Sequence, residues 1–269
     1  MKAFSIHFLF NLKSGLRDKE LLLMNYIFPL GFYFVIGAIM PKLNPQYISI
    51  LIPSMMIFNI LVSTVLGMPN ILVTSRNSGI FRSYKINGVS KLSMLAIPTV
   101  STILHTIIVT AIILITAPIL YNAELPVNIL GLIIVFIASA ITFSGLALLI
   151  GIIADSTSLT VILAQALFLP CMLIGGLMFP SSFLPESVGR FSKLLPTTYA
   201  MDAYEALVTK GSFSFSPIIS LGLLMASGII SYYLSWYLFK LDNNNTSKSK
   251  GKIWAVGAIL PFILGAIFL

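Results

Sequence analysis

The chain has 269 residues, of which 58% are hydrophobic and only 9% charged, with a formal net charge of +8. A soluble globular domain carries roughly 25% charged residues, so the composition excludes that class and implies an integral membrane protein. The basic excess does not by itself call for nucleic acid, because membrane topology and anionic lipid also select Lys and Arg.

The first twenty residues have helical periodicity. Phe4, Phe8, Leu12 and Leu16 form one stripe, while His7, Asn11, Ser14 and Asp18 fall on another side. This predicts an amphipathic helix over 1–20 lying at the membrane interface, with Lys13, Arg17 and Lys19 toward anionic headgroups. The start lacks a small-residue cleavage site before a long apolar core, so the first span is expected to serve as an uncleaved insertion signal.

About 20 apolar helical residues cross the roughly 30 Å hydrocarbon layer, which predicts spans at 22–40, 48–72, 94–120, 128–153, 158–178 and 215–239. None contains Asp, Glu, Lys or Arg. A β-barrel would need short alternating segments, and runs such as Ile107 to Leu114 do not alternate. The block 21–239 is therefore all-α. A last apolar run, 253–269, is a candidate seventh span, joined by a tether over 240–252 that is rich in Asn, Ser and Lys.

Charge placement orients the spans. Lys2, Lys13, Arg17 and Lys19 precede the first, Arg76, Arg82, Lys85 and Lys91 lie between the second and third, and Lys240, Lys248, Lys250 and Lys252 follow the sixth. Only Lys42, Arg190, Lys193 and Lys210 lie on the alternate side. The positive-inside rule then puts the N-terminus and the 73–93 loop in the cytoplasm and 179–214 outside.

Within 73–93, Ser75 or Asn77 is a candidate N-cap and Asn87-Gly88 a stop for a short helix. Its Ile80, Phe81, Tyr84 and Ile86 would form a partly apolar face, suited either to a soluble partner or to the headgroup layer. At the next inner turn, Asp155 is expected as an N-cap or first-turn residue of the fifth span. Residues 179–214 are punctuated by Pro180, Pro185 and Pro196, which predicts two short amphipathic outer helices broken at Pro196, expected to sit in the outer leaflet or to cap the outer end of the bundle.

Reacting groups are scarce. Two histidines, His7 and His105, and one cysteine, Cys171, leave no disulfide and no zinc motif. Gly251-Lys252 is followed by Ile253, so there is no P-loop, and no Gly-x-Ser-x-Gly elbow occurs. Ion-coupled transport is disfavoured because the spans hold no carboxylate, and His105 fits a bond to a neighbouring helix better than a proton relay. Asn25, Ser54, Asn59, Ser63, Thr64, Thr160 and Gln165 supply mild polarity, either for inter-helix hydrogen bonds or for the wall of a pathway.

The run Gly175-Gly176 to Phe179-Pro180, Leu184-Pro185, Leu195-Pro196-Thr197-Thr198-Tyr199 and Asp202-Ala203 resembles the outer signature of the ABC-2 type permeases, the membrane subunits of many bacterial ABC exporters. The loop Arg76 to Arg82 with Lys85 to Ser90 is similar to that family's stretch between helices 2 and 3, although Asn77 and Ser78 stand where the family often has Glu. The resemblance implies a six-helix, type V exporter-like bundle with an N-terminal connecting helix, a cytoplasmic coupling helix and short re-entrant outer helices. It also implies a separate ATP-binding subunit that carries the ATP and Mg, a second permease subunit, and no catalytic, cofactor or metal residue in this chain. On that basis Asn77, Ser78, Gly79, Ile80, Phe81, Arg82 and Tyr84 are expected to dock the ATPase. Asn25, Asn59, Ser63, Thr64 and Gln165 are expected on the translocation wall, and Phe179, Pro180, Leu184, Pro185, Pro196 and Tyr199 at the outer gate. The expected role is export of an amphipathic drug, peptide or lipid from the bacterial cytoplasmic membrane; a non-transporting assembly or immunity protein and a secondary transporter are the rivals.

Overall fold

The computed structural model describes residues 8, 9, 12, 13, 15–179, 185–209, 216–239, 241 and 254–268, and every regular element among them is helical. In chain order these are α1 (Lys19–Leu43), α2 (Tyr47–Asn77), the short α3 (Ile80–Ile86), α4 (Lys91–Tyr121), α5 (Ile129–Ile153) and α6 (Thr157–Ile174). The short α7 (Glu186–Ser192) and α8 (Pro196–Tyr204) follow, then α9 (Pro217–Leu238) and α10 (Leu260–Phe268). Six of them, α1, α2, α4, α5, α6 and α9, are long and apolar enough to cross a membrane. They coincide with the six expected spans.

Local chemistry sets the ends. Asp18 opens α1 by accepting from the N–H groups of Glu20 and Leu21 at 2.9 and 3.1 Å. Ser90 and Asn128 cap α4 and α5 in the same way. The cap of α6 is Ser156, whose hydroxyl accepts from Leu159 N–H at 3.2 Å, and not Asp155, which lies one residue earlier. The sequence-based end of α6 at residue 178 is also four residues too late, because the chain turns at Gly176 with φ 87°. That left-handed backbone ends a helix and favours glycine.

Helix α2 is the most buried span and lies between α1 and α6. Phe58 stacks on Phe32 of α1 at 4.1 Å and meets Phe168 of α6 at 6.0 Å. In lipid no hydrophobic gain separates helix from helix, so close packing and polar bonds hold the bundle. The pair α5 and α9 shows this best. A Cβ on Gly145 would lie 2.9 Å from Gly228 O, and the Thr142 hydroxyl donates across to Leu224 O at 2.8 Å.

The candidate seventh span takes a different form. Residues 254–258 are a 3₁₀ turn, and α10 has nine residues, a rise of about 14 Å that covers half the hydrocarbon layer. The segment runs along α9, where Ser227 Oγ donates to Ala258 O at 2.7 Å, and reaches α8, where Phe262 stacks on Tyr199 at 5.5 Å.

Of the N-terminal stripe, Phe8 and Leu12 are half-buried and Leu16 is exposed. Gly15 makes the close approach to the bundle: a Cβ there would collide with the His105 ring. Phe4, His7, Asn11 and Ser14 lie outside the described residues, as do 240, 242–253, Pro180 and Leu184.

Candidate functional site

Helix α3 stands at the end of α2. The helix α2 runs on to Asn77, so neither Ser75 nor Asn77 caps α3; that position falls to Gly79, whose φ of 74° turns the chain by a left-handed residue. The expected stop holds, with Asn87 as C-cap and Gly88 at φ 76°. Asn77, Ser78, Ile80, Arg82 and Ile86 are exposed, and Ile86 is 78% exposed. Phe81 differs from the expectation. It is 3% exposed and packs at 5.2 Å on Phe239, the residue that follows α9, so it anchors α3 and offers no docking surface. Tyr84 is half-buried beside it. Lys91 lies over the Trp236 ring at 4.7 Å, which fastens the start of α4 to the same end of α9.

One residue here escaped the sequence reading except as a positive charge. Arg76, on the last turn of α2, is 5% exposed, and its guanidinium donates to the carbonyls of Gly151, Ile152 and Ala154 at the end of α5. A buried Arg cannot be told from a headgroup-facing one by spacing alone.

The expected wall residues divide. Asn25, Asn59, Ser63 and Thr64 are all buried where α1, α2 and α4 meet. Asn59 Nδ2 donates to Thr106 O at 2.9 Å and to Thr110 Oγ1 at 3.2 Å. Ser63 Oγ lies 3.4 Å from Met24 O, and Thr64 Oγ1 donates to Ile60 O at 2.6 Å within its own helix. Two π-helical stretches, Leu23–Ile27 in α1 and Val62–Leu66 in α2, face one another here. Such bulges shift the backbone bonds by one residue and recur at functional sites. The Tyr26 hydroxyl and His105 Nδ1 are 2.7 Å apart, the neighbour-helix bond expected for this histidine. Asn59, Ser63 and the Tyr26–His105 pair thus bond helix to helix. Gln165 stands apart from them, half-exposed on α6.

A cavity of about 390 Å³ opens between α4 and α5, floored by Met56. Thr110 is its one polar lining residue, and none of the expected wall residues reaches it.

The segment after α6 closes on itself. A Cβ on Gly175 would collide with Thr197 Oγ1, and that hydroxyl donates to Cys171 O at 3.2 Å. Leu177 O accepts from the Tyr47 hydroxyl at 2.8 Å, Tyr199 OH donates to Lys193 O at 2.7 Å, and Asp202 accepts from Ser220 of α9 at 2.8 Å. Pro196 opens α8 at its first position, so the break falls where expected. Of the two placements expected for it, α8 takes the cap and not the leaflet. Pro196, Thr197 and residues 199–204 are buried, and α8 packs against α2, α5, α6 and α9 as a cap on that end of the bundle. By contrast Pro185 is exposed, as are Glu186 and Arg190 of α7, which pair at 2.8 Å. Phe179 is 43% exposed. Burial raises the pKa of the Tyr199 phenol to about 12, with Asp202 adding to the effect, so it stays a donor. Glu205, just beyond α8, is likewise raised by burial and then by Asp202.

Among the described residues no cluster of three His, Cys, Asp or Glu side chains could hold a metal. Comparison with curated proteins finds no match, and comparison with solved structures finds none. The family model for the ABC-2 type transporter matches residues 3–209, which take in α1 to α8 and end with the π-helical stretch Glu205–Thr209 that follows α8. With six candidate spans and that match over well more than half of its length, the chain is a multi-pass membrane protein belonging to the ABC-2 type transporter family.

Proposed function

We propose that this chain is the permease half of an ATP-driven exporter and that α3 docks on a separate ABC ATP-binding subunit. The observation that carries this is α3 itself: a helix set off by left-handed glycines, anchored by Phe81, with Ile80, Arg82 and Ile86 turned outward. Residues 69–92 contain no Asp or Glu, so the docking face is basic and apolar and fits an acidic groove with an apolar notch. ATP and Mg²⁺ would bind that partner.

The sparsely buried α1 and α6 flank α2 and leave an apolar side for a second permease subunit. Between two such subunits the half-exposed Gln165 would line the pathway. The polar junction of Asn25, Asn59, Ser63 and Thr64 would hinge α1 against α2 behind it. The placement of basic residues supports a cytoplasmic N-terminus and α3, with α7 and α8 at the outer gate. Walls with so little charge favour an amphipathic drug, peptide or lipid.

The test is purification in mild detergent from cells that co-express candidate ABC ATPases, followed by substrate export from ATP-loaded vesicles. The expected result is a stable complex that the double variant Arg82→Glu, Lys85→Glu dissociates. Migration without any ATPase, or export that stops on proton-gradient collapse while ATP persists, would sink the proposal.

A further inference from the structure

The last carbonyls of an α-helix have no intrahelical donor, and in a membrane they need one from elsewhere. At the end of α5 the Ala154 N–H takes Ile150 O at 3.0 Å. Three other carbonyls are met from a different helix: Arg76 Nη1 donates to Gly151 O at 3.4 Å and Ile152 O at 3.1 Å, and Nη2 donates to Ala154 O. Arg76 of α2 is therefore the C-cap of α5, a cation at that helix's negative pole. The planar fork points donors in several directions at once, which a lysine ammonium on a flexible stem does not reproduce.

Two features make this cap a mechanical joint. Gly151 lets α2 and α5 meet closely beside it, since a Cβ there would lie 2.7 Å from Leu72 and 3.1 Å from Pro69. Arg76 also adjoins the root of α3, because its carbonyl accepts from Gly79 N–H at 3.2 Å and Gly79 is the N-cap of α3. On the far side, Ala154 leads within three residues into α6.

We infer that Arg76 is a positioning residue that joins α3, the end of α2 and the α5–α6 turn into one body, so that displacement of α3 moves the α5–α6 hairpin together with α2. The inference rests on the docking role given to α3 above. Without the guanidinium, the α5–α6 turn would lose its polar tie to α2, and motion of α3 would pass into α2 alone.

The experiment places spin labels at Ser83 of α3 and Ser158 of α6, both exposed, through S83C and S158C in nanodiscs, with the buried Cys171 left in place. Distances are measured for the permease alone and for its complex with the ATPase, nucleotide-free and ATP-trapped. With Arg76 intact, the distribution is expected to be narrow and unchanged between nucleotide states. R76A is expected to broaden it in the permease alone and to make it nucleotide-dependent in the complex. R76K is expected to fall between them. If R76A does not fold, R76K decides: a broader distribution supports the joint, and one identical to the parent overturns it. A parent distance that shifts on ATP trapping, or an R76A distribution identical to the parent, also overturns it. Failure of any ATPase to bind would defeat the docking proposal, while the comparison of parent and variant in the permease alone would still decide the joint.

Discussion

The two ends of the bundle are built on opposite plans. At the α8 end the buried polar groups are spent on the chain itself: Thr197 on Cys171 O, Tyr199 on Lys193 O, Tyr47 on Leu177 O and Ser220 on Asp202. At the α3 end two inward side chains, Phe81 and Arg76, hold the structure while Ile80, Arg82 and Ile86 are left outside. Rigidity at one end and an exposed surface at the other is the division expected of an element that must keep shape and one that must meet a partner.

Breaking the closed end gives the largest effect. Gly175→Val places branched carbons against Thr197 and the Cys171 carbonyl, both backed by packed helix, so the overpacking is expected to cost about 3 kcal/mol. A heat-induced loss of monodisperse protein in detergent, read several degrees below the parent, checks it. An unchanged midpoint would show that the segment from Gly175 to Thr197 is looser than described.

The open end should respond in the reverse manner. Ile86→Asp changes a side chain that is 78% exposed, so thermal stability is expected to stay within about 0.5 kcal/mol of the parent. Affinity for the ATPase subunit should fall about tenfold or more, since a carboxylate then faces the groove expected to be acidic. Titration of labelled ATPase into nanodisc-held permease measures it. A variant that loses stability but keeps affinity would reverse the assignment of the two ends.

A smaller effect returns to the closed end. Tyr199→Phe deletes the donor to Lys193 O and leaves the ring stacked on Phe262. The cost expected is about 1 kcal/mol, seen in the same thermal assay. A loss as large as that of Gly175→Val would mean that the ring, and with it α10, had moved.

How far the sequence revealed this division depends on the kind of signal. Span number followed from apolar length, and Pro196 and Asn87-Gly88 marked breaks because proline and left-handed glycine act locally. The choice between leaflet and cap for α8 was not legible: apolar residues alternating with Asp202 and Glu205 fit either, and Ser220 standing opposite Asp202 decides for the cap. Phe81 and Ile86 have equal claims to a partner in a helical wheel, and only Phe239, more than 150 residues away, decides between them. The same holds for Arg76, whose carbonyl partners lie 75 to 78 residues downstream. Polar residues at Asn59 and Ser63 were visible as polar, but bonding and lining use the same side chains.

The finest distinction between the two ends lies in their response to pH. Glu205 sits half-buried just after α8, and both burial and the neighbouring Asp202 raise its carboxyl above the ordinary value of 4.5. A raised acid pKa means that the fold favours the protonated form. The contribution of Glu205 to stability is then greatest below pH 4.5 and declines as pH rises from there through the folded-state value, because the ionised carboxylate is tolerated less in the fold than in the unfolded chain. Glu205→Gln keeps the neutral shape and removes the charge, so the thermal midpoint at pH 7 should rise by about 2 °C while that at pH 4 stays put. The substitution leaves α3 untouched, so affinity for the ATPase should not follow. A midpoint that rises equally at both pH values would show that packing, not charge, had changed, and a change in ATPase affinity would show that the two ends communicate through the bundle even at rest.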